Sequence, residues 1–285
     1  MQASKKLAIK PFSCIVAYCR ANMGIGNKGD LPWPMLKADL SHFAKITSSK
    51  ESLAESASEN ASKSLLFNSS LKKKLMNKSV ETEKINAVVM GRKTWESIPQ
   101  SKRPLKNRLN VILTSNPEDL RKQMEEAGTP QESVMVVSDI EKALVELSAD
   151  QGVNEIFIIG GSSLYDMSMK GSLKDYCKMI IATRINKKFD CDTFIPELEN
   201  LKTNTDFVPL HISETYSQDD ITFDYCFFGN SEILEEKPEL IPTKLMAKYP
   251  KHPEMQYLEI IEDVINTGKF KDDRTGTGIY TKFGN

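Results

Sequence analysis

From Phe12 onward, short runs rich in β-branched and aromatic residues alternate with stretches of helical spacing, and that alternation admits little besides a sheet with helices packed on it. Phe12–Tyr18, Ile85–Met90, Leu109–Thr114, Val134–Val137, Glu155–Ile159 and Met179–Thr183 read as strands. Two more, about His211–Tyr216 and Ile221–Phe228, flank Ser217-Gln-Asp-Asp220 and read as a closing hairpin. Helical spacing predicts Leu36–Ile46, Asp139–Leu147 and Ser163–Met169; in the second, Asp139 is a cap and Ile140, Leu144 and Leu147 share a face.

At 285 residues the chain suits one large domain or two small ones, and 40% hydrophobic residues exclude wholesale disorder. Lys+Arg 38 against Asp+Glu 39 leaves a net charge of −1, so there is no cationic surplus for nucleic acid and small-molecule chemistry is the open field. No run approaches the ~20 apolar residues of a membrane span. Cys14, Cys19, Cys177, Cys191 and Cys226 lack a C-x-x-C pair, which argues against a disulfide framework or a zinc cluster. They read as reduced thiols of a cytoplasmic protein without a metal site. The basic start, up to Lys10, reads as a plain N-terminal tail. Residues 47–84, packed with Ser, Lys, Glu and Asn, read as a surface insertion without chemistry. After Phe228, Glu235-Glu-Lys-Pro238 and Pro242 look linker-like, and a separate unit is expected from about Lys251.

Gly24-Ile-Gly26-Asn-Lys-Gly29 matches the dinucleotide fingerprint, but Pro32 and Pro34 follow where that fingerprint must open a helix. A Rossmann site is therefore rejected. What stays open is a flexible glycine loop over a ligand, with Leu31 and Trp33 as apolar contacts, or an ordinary connection. On the next helix Leu36, Leu40, Phe43 and Ile46 share one face, and Asp39 falls between Phe43 and Ile46 on it. A carboxylate there either meets a ligand's donors or holds a proton, unless it is only an early-helix acid favoured by the macrodipole. His42 reads as solvated. Met90-Gly-Arg-Lys-Thr-Trp95 and Ile158-Ile-Gly-Gly-Ser-Ser-Leu-Tyr165 each end a strand with glycine and donors at a helix start. One such end is usually a cap; two in one sheet favour a dinucleotide across the strands' carboxyl ends. Arg108 is either a fork for a carboxylate or a solvated cation.

In this order, Cys14-Ile-Val-Ala17, Asn22-Met-Gly-Ile-Gly26, Gly29-Asp-Leu-Pro-Trp-Pro34, Asp39, Met90–Trp95, Ser97-Ile-Pro99, Arg103-Pro-Leu-Lys106, Arg108, Ile159–Tyr165, Thr183-Arg184 and Asp192-Thr-Phe194 resemble the dihydrofolate reductases over about residues 8–229. The resemblance implies an α/β fold: a mostly parallel eight-stranded sheet flanked by helices and closed by an antiparallel C-terminal strand. It also implies NADPH and dihydrofolate meeting in a cleft, and binding of antifolate-type inhibitors. Asp39 would hold the pterin's amino group and ring N–H, with Leu31 and Trp33 beside it at the catalytic centre. Leu31, Leu40 and Phe43 would pack the rings, Ala44, Ile98 and Thr183 would line the substrate, and Arg108 would clamp the glutamate carboxylate. Ala17, Gly24, Ile25, Gly26, Asn27, Lys28, Gly29 and Asp30 would cover the nicotinamide. Arg92, Lys93, Thr94, Ile159, Gly160, Gly161, Ser162, Ser163, Leu164 and Tyr165 would hold pyrophosphate and ribose, with Gly160-Gly161 matching the family's cis peptide. Thr114, Ser115 and Asn116 would face the adenosine 2′-phosphate, although the family often has Arg where Ser115 stands.

Met255–Gly268, Asp273-Arg-Thr-Gly-Thr-Gly278 and Phe283-Gly-Asn285 resemble the start of thymidylate synthase, an order similar to the bifunctional enzyme of protists and plants. That implies a linker over 230–250, a synthase fragment over 251–285, and a parent homodimer formed through the remaining synthase. Arg274 matches the synthase's nucleotide-phosphate contact. The last cysteine, Cys226, belongs to the reductase part, so no synthase activity is expected, nor a stable fold from Lys251 onward. Deletion after Asn230 is expected to leave reductase turnover almost unchanged.

Overall fold

The computed structural model describes residues 7–48, 84–130, 133–200, 204–271 and 279–282. Its strands are β1 (Phe12–Cys19), β2 (Gly24–Gly26), β3 (Ile85–Gly91), β4 (Arg108–Leu113), β5 (Val134–Val137), β6 (Val153–Ile158), β7 (Cys177–Ile185), β8 (Thr193–Phe194), β9 (Phe207–Ile212), β10 (Tyr216–Gln218), β11 (Ile221–Asn230), β12 (Lys269–Lys271) and β13 (Ile279–Thr281). The helices are α1 (Lys37–Thr47), α2 (Arg92–Ser97), α3 (Pro117–Glu126), α4 (Ile140–Ala149), α5 (Ser162–Met169), α6 (Ser231–Glu236), α7 (Thr243–Met246) and α8 (Pro253–Thr267).

Eight strands lie side by side in the order β10-β11-β7-β1-β6-β3-β4-β5, with β2, β8 and β9 attached off that path. From β7 to β5 every neighbouring pair is parallel, and β11 closes the sheet antiparallel to β7. This is the eight-stranded plan expected from the sequence. Parallel strands with both faces covered carry near-continuous apolar runs, and β7, buried at every position, has one in Met179–Ala182. Alternation then divides the core: Phe12, Cys14, Val16 and Tyr18 of β1 enter one layer, Ile15 and Cys19 the other.

Three local readings change. The first predicted helix starts at Lys37 and runs to Thr47, so the supposed insertion begins with a buried helical residue; residues 49–83 of it lie outside the described residues. α3 went unforeseen because it is polar overall, with only Leu120 and Met124 of its ten residues buried. The hairpin turns at Asp219-Asp220, with Gln218 opposite Ile221, and the strand before it breaks between β9 and β10: there Ser213 still bonds Tyr225 of β11 and on its other side bridges to Lys251.

That bridge overturns the linker reading. Leu245, Met246 and Tyr249 pack on the second core layer. The Glu214 amide donates to Pro250 O at 2.8 Å, and the His252 amide to Ile212 O at 2.9 Å. Residues 245–252 are therefore part of the reductase edge. Three half-covered apolar side chains, at half of about 1.5–3 kcal/mol each, contribute roughly 3 kcal/mol. A chain ending at Lys244 should melt roughly 6–12 °C below one ending at His252 by calorimetry. Equal melting temperatures would return the segment to linker status. Beyond it, α8 leaves Tyr257, Leu258 and Ile260 more than half exposed beside the β12–β13 hairpin, while Arg274 lies outside the described residues.

Candidate active site

Asp39 sits in the first turn of α1, facing β7. Thr183 Oγ1 donates to its Oδ1 at 2.6 Å, and burial pushes the carboxyl above its ordinary range while that hydrogen bond pulls it back. On the same helix Leu40 is 42% exposed and Phe43 half-buried, and on the loop before it Leu31 is 48% exposed. An exposed leucine next in sequence to a carboxylate makes an amphipathic surface suited to a flat polar-edged ring. Ala17, half-buried, is the register partner of Thr183. Ala44 is exposed and Ile98 half-buried. Trp33 is buried edge-to-face against Phe189, ring centroids 6.1 Å apart, and its indole N–H has no partner among the described residues.

Arg108 is not a solvated cation. It is 8% exposed, lies over the Phe43 ring at 5.7 Å, and is held by Nη1 donating to Thr47 Oγ1 at 2.7 Å and Nε donating to Lys106 O at 2.9 Å. Burial lowers its pKa, and among the described residues no ion pair to it is found.

Across the sheet, the carboxyl ends of β3 and β6 meet. The Gly91 amide donates to Gly160 O at 2.8 Å, and the Ile159 amide to Val89 O at 2.9 Å. Gly160-Gly161 is cis, as expected. Gly160 has φ +122°, and a Cβ there would stand 3.2 Å from Thr94 Oγ1, so the position requires glycine on two counts. α2 and α5 begin beside these glycines, bringing Lys93, Ser162 and Ser163 to one edge, with Lys93 and Ser163 exposed.

Several residues expected at ligands have partners within the protein. Leu164 and Tyr165 point into the core, and the Tyr165 hydroxyl donates to Ile15 O at 2.7 Å. They anchor α5. Arg92 is committed to Glu96 at 2.7 Å and Asp119 at 3.1 Å, which leaves Lys93 as the exposed cation of that pair. Thr114 is buried and its Oγ1 accepts from the Asn116 amide at 3.2 Å; Ser115 and Asn116 are exposed. The Gly24–Asp30 loop, including Ile25, Gly26 and Gly29, is more restrained than a free flap. A Cβ on Gly24 would fall 2.2 Å from Cys191 Sγ, Asn27 and Asp30 bond each other's backbone, and Asp192 accepts from the Lys28 amide at 2.7 Å.

His42 is the residue that the sequence reading placed wrongly. It is 4% exposed, stacks on Tyr225 with centroids 4.0 Å apart, and shares a 2.7 Å hydrogen bond through Nδ1 with the Tyr249 hydroxyl. Burial, with Lys45 adding to it, lowers its pKa to about 3, so the ring is neutral. The signal was available: His42 lies three residues from Asp39 and four from Ile46. Among the described residues no group of three or more His, Cys, Asp or Glu could hold a metal ion, and no helix is long and apolar enough to cross a membrane.

Fold and site define an α/β protein whose candidate residues gather at the carboxyl ends of parallel strands. The family model described as dihydrofolate reductase matches residues 70–227, more than half of the chain. A dihydrofolate reductase of Aedes albopictus is 37% identical over 72% of this chain and 91% of that protein. This chain belongs to the dihydrofolate reductase family. Bifunctional dihydrofolate reductase-thymidylate synthases of Zea mays and Plasmodium chabaudi are 32% and 29% identical over 96% and 92% of this chain, which covers 48% and 51% of them. The chain thus spans about half the length of these bifunctional relatives.

Proposed function

We propose that this chain reduces dihydrofolate to tetrahydrofolate with NADPH, with Asp39 as the pterin's polar anchor. The observation that carries the reading is the Asp39 carboxylate, tethered by Thr183, with exposed Leu40 and half-buried Phe43 on its own helix and exposed Leu31 on the loop before it. In its charged form the carboxylate accepts from the pterin's amino group and ring N–H, fixing the ring's register, while the three apolar side chains hold its faces. Arg108, without an acidic partner among the described residues, supplies the fork for the substrate's glutamate carboxylate.

The glycine edge fits a dinucleotide: backbone at Gly91, Gly160 and Gly161 allows close approach, Ser162 and Ser163 offer hydroxyls, and Lys93 a cation. A bound reduced nicotinamide supplies the hydride. The protein's part is alignment: Asp39 holds the ring edge, Ala17 forms the floor between the two ligands, and the Gly24–Asp30 loop screens the centre from bulk water. Asp39 is the one ionisable side chain we place against the pterin, so water brings the imine nitrogen its proton, with the partnerless Trp33 N–H suited to hold it.

With Ser115 where the family often has Arg, the 2′-phosphate rests on Lys93. Wild-type protein should use NADPH with higher kcat/KM than NADH, and Lys93→Ala should reduce that preference roughly tenfold, the effect of one charge-assisted bond of about 1.5 kcal/mol. Equal efficiency with the two cofactors in the wild type would refute the NADPH assignment, and no turnover of dihydrofolate with either would refute the reading.

The domain proposal keeps a reductase unit over 8–229 and a synthase start from 251, now with residues 245–252 folded onto the reductase. The likeness to the bifunctional relatives running on through α8 supports a bifunctional parent assembled as a homodimer through its synthase part. Arg274 would contact nucleotide phosphate there.

A further inference from the structure

The helix that carries Asp39 is held from two sides, and one hold comes from the far end of the reductase edge. On the sheet side, Thr183 of β7 bonds Asp39. Its register partner on β11 is Tyr225, whose ring stacks under His42, one turn along α1 from Asp39. On the other side stands Tyr249, its hydroxyl 2.7 Å from His42 Nδ1 and its ring edge-on to both His42 and Tyr225, at 5.3 and 5.2 Å. Asp39, Thr183, Tyr225, His42 and Tyr249 form one contiguous chain of contacts from the carboxylate to the segment joining the reductase to α8.

The two holds are of different kinds. β7 and β11 are interior strands of the sheet and cannot shift alone. Tyr249 instead rides on a segment that meets the sheet at its edge, through Pro250 to Glu214, the Lys251–Ser213 bridge and His252 to Ile212. Its phenol is neutral, burial pushing its pKa up to about 12, and His42 is neutral as well, so the bond between them is an uncharged, directional one. A bond of that kind, made to a buried ring in an otherwise apolar setting, fixes the roll of the helix about its axis. The roll sets where the Asp39 carboxylate points.

We infer that Tyr249 is a positioning residue for dihydrofolate reduction: through His42 it sets the orientation of α1 and hence of Asp39, so that the pterin site reads the placement of the segment that leads out of the reductase. The consequence is a selective one. Asp39 touches the pterin side alone, so disturbing the Tyr249–His42 bond affects dihydrofolate and leaves the glycine edge across the sheet untouched.

The test uses the full chain. Tyr249→Phe keeps the ring packing and removes the hydroxyl. It should raise KM for dihydrofolate about fivefold, the effect of one neutral hydrogen bond, with KM for NADPH within twofold of wild type. His42→Phe should show the same selective rise, and the double variant should be no worse than either single one, because both remove the same bond. A merely structural role predicts a lower melting temperature with both KM values unchanged. That outcome, an equal rise in both KM values, or additive effects in the double variant, would overturn the inference. Should Tyr249→Phe fail to fold, His42→Phe reads the same bond from the helix side. The inference rests on Asp39 as the pterin anchor, and Asp39→Asn separates the two: wild-type turnover there would remove the anchor itself, whereas a wild-type KM in Tyr249→Phe removes only the positioning role.

Discussion

Asp39→Asn should lower kcat/KM for dihydrofolate at least about a hundredfold, equivalent to roughly 3 kcal/mol of transition-state stabilisation. The amide keeps the shape and can still accept from Thr183, but it carries no charge to complement the pterin as it polarises. The same change should not weaken the fold. Burial raises the Asp39 pKa, so the folded chain holds that proton more tightly than the unfolded one. Stability then falls as pH rises from the unfolded to the folded pKa, and the penalty is fully present above both. Asparagine removes it. The variant is expected to melt no lower than wild type at neutral pH while losing turnover, the trade between stability and function that a desolvated site imposes. Near-normal turnover in folded variant protein would contradict the assignment.

Lys178→Met should cost about 3–5 kcal/mol in a denaturant titration, a large share of the ~5–15 kcal/mol that holds a domain together. Lys178 and Glu155 lie 2.9 Å apart at 3% and 7% side-chain exposure, toward the amino ends of β7 and β6, the two strands that flank β1. Removing the ammonium takes the 2.9 Å counter-charge from a buried carboxylate and leaves Lys10 as the other cation acting on it. Replacing both, as Lys178→Met with Glu155→Leu, should recover most of the loss, since the penalty comes from a buried charge short of its close partner rather than from the pair's absence. A single-variant loss below about 1 kcal/mol would mean that the pair is solvated and behaves like a surface ion pair. Activity per folded molecule should be unchanged, because the pair sits at the end of the strands opposite to Asp39 and Gly160.

Legibility in the sequence followed locality. The central strands were legible because parallel strands buried on both faces carry long apolar runs, as Met179–Ala182 of β7 does. Asp39 was legible because a carboxylate on an apolar helix face is a local contradiction. Thr183 was not readable in the same way: a threonine inside a strand is an ordinary β-former, and its bond to Asp39 spans 144 residues, so it entered only through family resemblance. Arg92 followed a strand as a phosphate-binding cation should, yet its partner Asp119 comes from α3, a helix hidden by its overall polarity. The segment after Asn230 misled most. Its polar, proline-bearing start reads as linker, and Tyr249 reaches His42 across 207 residues, a contact that no window along the chain can display.

The central claim is that this chain couples Asp39-anchored dihydrofolate to NADPH as hydride source, and product stoichiometry tests it most directly. Purified protein incubated with both compounds should consume NADPH and dihydrofolate in equal amounts and yield tetrahydrofolate, identified by mass. NADPH loss without tetrahydrofolate, or no loss of either compound in folded protein, would contradict the account.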